Sequence, residues 1–152
     1  MNKIIGVVYP IPLPLVDRLF VAHRNVFVKY VARTTNLRIT RKHKVVFYAS
    51  HGSKEVVGEG IIEAIEFLTP EEVLEKYKDK VFLNKNELME YTQRQPGRTP
   101  SKKMLTLTLS KLRRYPCGIK YEKPITMAGE YLTEEKYNAL LQRVSKENLL
   151  RT

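Results

Sequence analysis

Apolar residues along this chain fall into short runs divided by polar breaks, and the period of each run predicts its element. Lys3 to Tyr9 (KIIGVVY) is a compact apolar run and reads as a first strand, ended by the prolines at 10, 12 and 14. From Leu13 to Arg24, Leu15, Val16, Leu19, Phe20 and Ala22 recur at helical spacing, with Asp17, Arg18 and Arg24 on the other side. Val26 to Ala32 (VFVKYVA) is a strand whose apolar ladder is interrupted by Lys29. Residues 33 to 43 hold a turn followed by a short helix or an irregular segment, and Lys44 to Ser50 is a strand again. Lys54 to Leu68 alternates in part, and Gly58 and Gly60 would let that strand bend as a small barrel requires.

Thr69-Pro70-Glu71-Glu72 is a helix start, with Thr as cap, Pro at the first position and acids at the positive end of the dipole, and the helix reaches Tyr77. A second short helix, Lys85 to Thr92, follows Asn84 as its cap. Gln93 to Lys103 reads as an exposed basic loop, because Pro-Gly and a second Pro break any regular structure. Met104 to Leu112 alternates at period two, and short strands follow at Cys117 to Tyr121 and Ile125 to Ala128. Thr133-Glu134-Glu135 opens a last helix running to Asn148, with Tyr137, Leu140, Leu141 and Val144 as its apolar stripe. Six or seven strands among short helices that do not alternate with them predict an α+β fold. The expected architecture is a small bent or closed mixed barrel with short peripheral helices, and residues 1–152 form one domain.

Charge changes this picture more than composition does. The formal charge is +11 over 152 residues, and it is unevenly spread. Residues 18 to 54 hold nine Lys/Arg and no acid, and residues 91 to 121 hold eight and no acid. Between them, residues 55 to 90 hold ten acids against four lysines. A surface that attracts phosphates has reason to clear carboxylates from two long tracts; the competing reading is a solvated surface whose acidic middle neutralises its flanks. A lone cysteine, Cys117, excludes an internal disulfide and fits a reducing compartment. The N-terminal apolar run is too short and too proline-rich for a signal peptide, and no stretch is long enough to span a membrane, so a soluble cytoplasmic protein is expected.

Three stretches resemble the PUA-like superfamily of small pseudobarrels, which includes the ASCH, EVE and YTH types. VFVKYVA (26–32) is similar to the strand that presents a lysine from the barrel. KVVFYASHG (44–52) with VVGEGIIEAIEFLTPEEV (56–73) resembles that superfamily's strand, glycine-bearing strand and helix. PITMAGEYLTEEKY (124–137) looks like the closing segment of a poorly characterised archaeal member family. The resemblance implies a PUA-like pseudobarrel that recognises RNA, single-stranded nucleic acid or a modified base. It departs from the ASCH pattern after Lys29, where Arg33 comes one residue early and the glutamate is missing, which counts against hydrolysis.

Within that frame Lys29 is the first candidate, because a lysine on a Val/Phe strand must snorkel or meet a partner. Ser50 and His51 stand where a core strand breaks, beside Gly52, and Tyr30 and Tyr48 are candidate stacking surfaces. Arg33, Arg38, Arg41, Lys42 and Lys44 form the first basic tract, and Arg94, Arg98, Lys102 and Lys103 the loop of the second. Converging in space, they would make one positive groove. His23, His43, His51 and Cys117 have no metal-ligand spacing, and no cofactor motif is present, so neither is expected. The leading expectation is a non-catalytic nucleic-acid-binding module with no membrane partner. The alternative is a small ASCH-type hydrolase of a modified nucleoside or phosphodiester, using Lys29 with Thr34 or Ser50 nearby and Glu59 or Glu63 as the acid. An inward glutamate within hydrogen-bond reach of Lys29 separates the two, although same-strand glutamates are usually exposed.

Overall fold

A computed structural model describes residues 3–31, 37–50, 54–93, 102–121, 125 and 128–151, with side chains up to residue 146. Strand β1 (Ile4–Ile11) leads through a 3-10 turn (Leu13–Leu15) to helix α1 (Val16–Phe20) and strand β2 (Val26–Lys29). Strands β3 (Lys44–Ala49) and β4 (Glu55–Leu68) follow, then helix α2 (Pro70–Tyr77), a 3-10 turn (Lys78–Lys80) and helix α3 (Lys85–Gln93). The long strand β5 (Met104–Lys120), strand β6 (Glu130–Thr133) and helix α4 (Glu134–Arg151) complete the order.

The six strands form one sheet in the order β2-β5-β4-β3-β1-β6, parallel between β1 and β3 and antiparallel elsewhere. The sheet is strongly curled. Three strands separate β1 from β2 in that order, yet Tyr9 of β1 stacks on Phe27 of β2 with ring centroids 5.9 Å apart. Phe27 also meets Phe47 of β3 at 5.3 Å and Phe82 at 4.9 Å, so the inside of the curl is a filled aromatic core. Register shifts at Val56/Gly58, Glu59/Ile61 and Ile62/Ala64 in the β4–β5 ladder supply the bending. Gly58 is required at the first of them, because a Cβ there would lie 2.4 Å from Cζ of Phe20 and 2.8 Å from the Arg113 carbonyl oxygen.

Alternate residues of β3 serve two cores. Val45, Phe47 and Ala49 face the interior of the curl, whereas Val46 and Tyr48 join Val8, Val56, Tyr115, Ile119 and Leu132 beneath α4. Tyr137, Leu140 and Val144 of α4 cover that second cluster. A strand buried on both faces reads as a continuous apolar run, which is why residues 45–49 show no alternation.

Local chemistry explains the helix starts. Thr69 and Glu72 make a reciprocal capping box with Pro70 at the first helical position. Asn84 and Glu87 repeat the arrangement at α3, with the Asn84 side chain accepting from the Glu87 amide at 2.9 Å and the Glu87 carboxylate accepting from the Asn84 amide at 2.8 Å.

Five expectations are corrected. β1 does not stop at Tyr9 but runs through Pro10 to Ile11. The amide of Ser50 donates to the Ile11 carbonyl, so Pro10 turns its absent donor to the opposite side, where β6 has already ended its pairing at Val8. The helical pattern after Leu13 yields only a 3-10 turn and the five residues of α1. The strand expected at 117–121 is the far end of β5, continued past a left-handed Lys111 (φ 48°) rather than begun anew. The next strand is Glu130–Thr133; Ile125 and Ala128 lie in no strand, and residues 126–127 lie outside the described residues. The last helix extends to Arg151, with the Thr133 hydroxyl accepting from the Lys136 amide.

Candidate functional site

β2 ends on Lys29, which is only 4% exposed. Its ammonium nitrogen lies 5.4 Å from the centroid of the Tyr9 ring, inside the curl. The parity argument from the sequence therefore holds, since Lys29 is buried with its apolar neighbours and not turned to solvent. Burial, and then the neighbouring Tyr131, push the Tyr9 hydroxyl well above its ordinary pKa, so Tyr9 stays a neutral phenol. Gly129 (φ 78°) rests on that ring; a Cβ there would come within 2.6 Å of Tyr9 Cδ1. Beyond it, the Tyr131 hydroxyl accepts the Arg38 backbone N–H at 3.0 Å.

On the other side of Lys29 the chain turns to Tyr30. Its amide donates to the Tyr91 hydroxyl at 3.1 Å, its own hydroxyl bonds Thr92 Oγ1 at 3.2 Å, and the Tyr30 and Tyr91 rings meet edge to face. Lys102 sits with its ammonium 5.7 Å from the Tyr30 centroid. Lys102, distant along the chain, thus stands over the ring of Tyr30, next to Lys29, while Tyr9 and Tyr131 lie between Lys29 and the backbone of Arg38. Ser50 stands close by along the backbone, because its amide bonds the carbonyl two residues past Tyr9. Arg38, Arg41, Lys102 and Lys103 are exposed and make no ion pair among the described residues, although the charge of Lys103 is felt by Glu72. Arg33, Thr34, His51, Arg94 and Arg98 lie outside the described residues.

The rest of the first basic tract is held differently. Lys42 donates to both oxygens of Glu63 at 2.9 and 2.7 Å, and Glu63 also accepts from Ser110 at 2.6 Å. These bonds hold the Glu63 carboxyl below its usual range. Lys44 lies 3.5 Å from a Glu59 oxygen and 4.9 Å from the Tyr137 centroid. Acids from the middle segment thus reach the acid-free tract across the β3–β4 ladder and neutralise two of its cations.

Glu59 was expected at the surface and is instead 6% exposed, sealed beneath α4. The Tyr137 hydroxyl donates to it at 2.9 Å, the Tyr115 hydroxyl at 3.1 Å, and Arg113 stands 3.9 Å away. Burial and this carboxylate push both tyrosine hydroxyls far above their ordinary pKa. Among the described residues Glu59 and Glu63 bond these partners and neither bonds Lys29, so they do not supply the inward glutamate within reach of Lys29 that would favour the hydrolase alternative. Tyr48 is also corrected: at 3% exposure, edge-on to Tyr121 in the cluster beneath α4, it presents no stacking face. Among the described residues no three His, Cys, Asp or Glu side chains are grouped to hold a metal, and no helix is long and apolar enough to cross a membrane.

The sequence reading missed Tyr9, Tyr91, Tyr131 and Gly129 around Lys29. Their only sequence signals were a tyrosine closing the first strand and a glycine before a Glu-Tyr pair.

A family described as a domain of unknown function, DUF365, matches residues 4–134. The chain belongs to that family. An uncharacterised protein of Methanocaldococcus jannaschii is 32% identical over 107 residues, which span 66% of this chain and 99% of that protein. Among solved structures, ASCH from Zymomonas mobilis superposes with a TM-score of 0.73 at 16% identity, over 91% of this chain and 94% of that one. The N-terminal domain of McrB from Staphylothermus marinus gives 0.56 at 18% identity, over 94% and 98%. The DUF365 chain therefore has the PUA-like pseudobarrel fold of the ASCH proteins, as its lysine-bearing strand and glycine-bearing strand led one to expect.

Proposed function

We propose that this DUF365 protein binds single-stranded nucleic acid, RNA above all, at the end of the barrel where β2 and the start of β5 meet. One observation carries the reading: the Lys29 ammonium is held inside the curl beside the Tyr9 ring, Arg38 is tied by its backbone to the neighbouring Tyr131, and the Lys102 ammonium stands over the ring of Tyr30, the residue after Lys29. The exposed Arg38, Arg41, Lys102 and Lys103 contact the backbone, and the partly exposed Tyr91 offers a ring to a base. The PUA-like fold supports a nucleic-acid partner at this coarse level. The chemistry required is binding alone, since Glu59 and Glu63 are committed to other partners.

The test is a titration of internally labelled RNA, single-stranded DNA and duplexes across a range of salt. Each phosphate neutralised contributes a slope of about −0.7 for single strands, so the four exposed cations predict about −2 to −3. Single strands bind more tightly than duplexes, and Lys29→Met weakens them by about tenfold or more. Absence of binding at low salt, or a slope near zero, overturns the reading.

A further inference from the structure

We propose that the outer half of the β4–β5 ladder is a second contact surface for a nucleic-acid backbone, made by Lys54, Lys111 and Lys120. This rests on the nucleic-acid reading above and lengthens the bound strand beyond the barrel end.

Placement is the first argument. β5 starts beside Lys29, with Leu105 opposite it, and runs on to Lys120, which pairs with Glu55 of β4. Lys54 is the residue before Glu55, and Lys111 follows Ser110, the partner of Ile61. The three lysines thus flank the stretch from Ile61 back to Glu55, about 20 Å at strand spacing, which begins about 17 Å along β5 from Leu105. Availability is the second argument. All three are exposed and make no ion pair among the described residues. The charged groups near them are engaged elsewhere. Arg114 bonds Asp17, Arg113 stands 3.9 Å from the buried Glu59, and Glu55 lays its carboxylate against Gly118. The third argument is the backbone. Among the described residues five with a side chain have positive φ, namely His23, Lys42, Lys54, Lys78 and Lys111, and every one is basic. Glycine or asparagine would sit there at less cost. Lys42 spends its charge on Glu63, but Lys54 (φ 56°) and Lys111 (φ 48°) have no carboxylate partner to offset the strain. A polyanion arriving from outside supplies one.

Salt titrations of the full chain decide it, using single-stranded RNAs of about 5 and about 15 nucleotides, the range that one small barrel covers. Each phosphate neutralised adds about −0.7 to the slope, so the long RNA is expected to exceed the short one by about −2. The triple variant Lys54→Asn, Lys111→Asn, Lys120→Gln is expected to abolish that difference and to leave the short RNA unaffected. Asparagine suits a left-handed position, so Lys54→Asn and Lys111→Asn singly are expected to raise the unfolding midpoint while each flattens the long-RNA slope by about 0.7. A structural role for these lysines would lower the midpoint and leave the slope alone, and that result overturns the assignment. Equal slopes for the two lengths, or a triple variant that binds the long RNA as the unsubstituted chain does, overturn the outer contact and leave the barrel-end reading intact. A triple variant that weakens both RNAs equally places these lysines within the barrel-end site, and the outer contact falls. Failure of both RNAs to bind at low salt overturns both readings.

Discussion

Lys29 and Lys44 are both strand lysines withdrawn from water, and they are held in opposite ways. Lys44 faces a carboxylate, Glu59, which two tyrosine hydroxyls and Arg113 also serve beneath α4. Lys29 has its ammonium 5.4 Å from the centroid of the Tyr9 ring inside the curl, while Glu59 and Glu63 of β4 bond other side chains. The first arrangement locks a helix to a sheet, and the second sets an ammonium beside an aromatic ring inside the curl. Charge counted along the chain cannot separate them; the ladder partners of each lysine do.

The largest expected effect tests the locked site. Glu59→Ala strands Lys44 and two buried hydroxyls, and chemical denaturation is expected to show a loss of about 3–5 kcal/mol. Lys29→Met, replacing a buried ammonium by an apolar chain of similar length, is expected to change stability by less than about 1.5 kcal/mol while it weakens binding. If the two substitutions exchange these outcomes, the comparison is wrong. Tyr137→Phe removes one hydrogen bond to a buried carboxylate and should cost about 1.5–3 kcal/mol, with RNA affinity of the folded protein unchanged.

Acid offers a graded probe of the ion-paired surface. Lys42 and Ser110 hold Glu63 below the usual carboxylate range, and Arg18 does the same for Glu87. A lowered folded pKa means that the stabilisation is complete above the unfolded value of about 4.3 and is lost as pH falls through the folded one. The unfolding midpoint is therefore expected to be flat from neutrality to about pH 5 and to drop below about pH 4; a midpoint unchanged at about pH 3 excludes these pairs as contributors. The smallest effect concerns adjacent residues. Arg41→Ala should reduce the salt slope of RNA binding by about 0.7, whereas Lys42→Ala should leave it unchanged, because Glu63 already neutralises that lysine.

Elements with a local cause were legible in the sequence. The cap at Thr69, the start at Asn84 and the alternation from Met104 to Leu112 depend on residues near in the chain, and the structure agrees with each. The continuation of β5 was hidden because the left-handed Lys111 and the bulges against β4 interrupt the period of two. β6 was hidden because Glu130-Tyr131-Leu132-Thr133 is short and buries only Leu132. At the site, Lys29 was legible through its apolar parity neighbours. The burial of Glu59 was not, since it is decided by Tyr137, 78 residues away, and the neutralisation of Lys42 and Lys44 follows from the β3–β4 register rather than from any local pattern.

Pro10 has a bearing on which neighbour each half of β1 can keep. Its ring nitrogen cannot donate, so β6 has no further bond to gain from β1 beyond Val8, and the residue that lets β1 run on beside β3 also sets where the β1–β6 ladder stops.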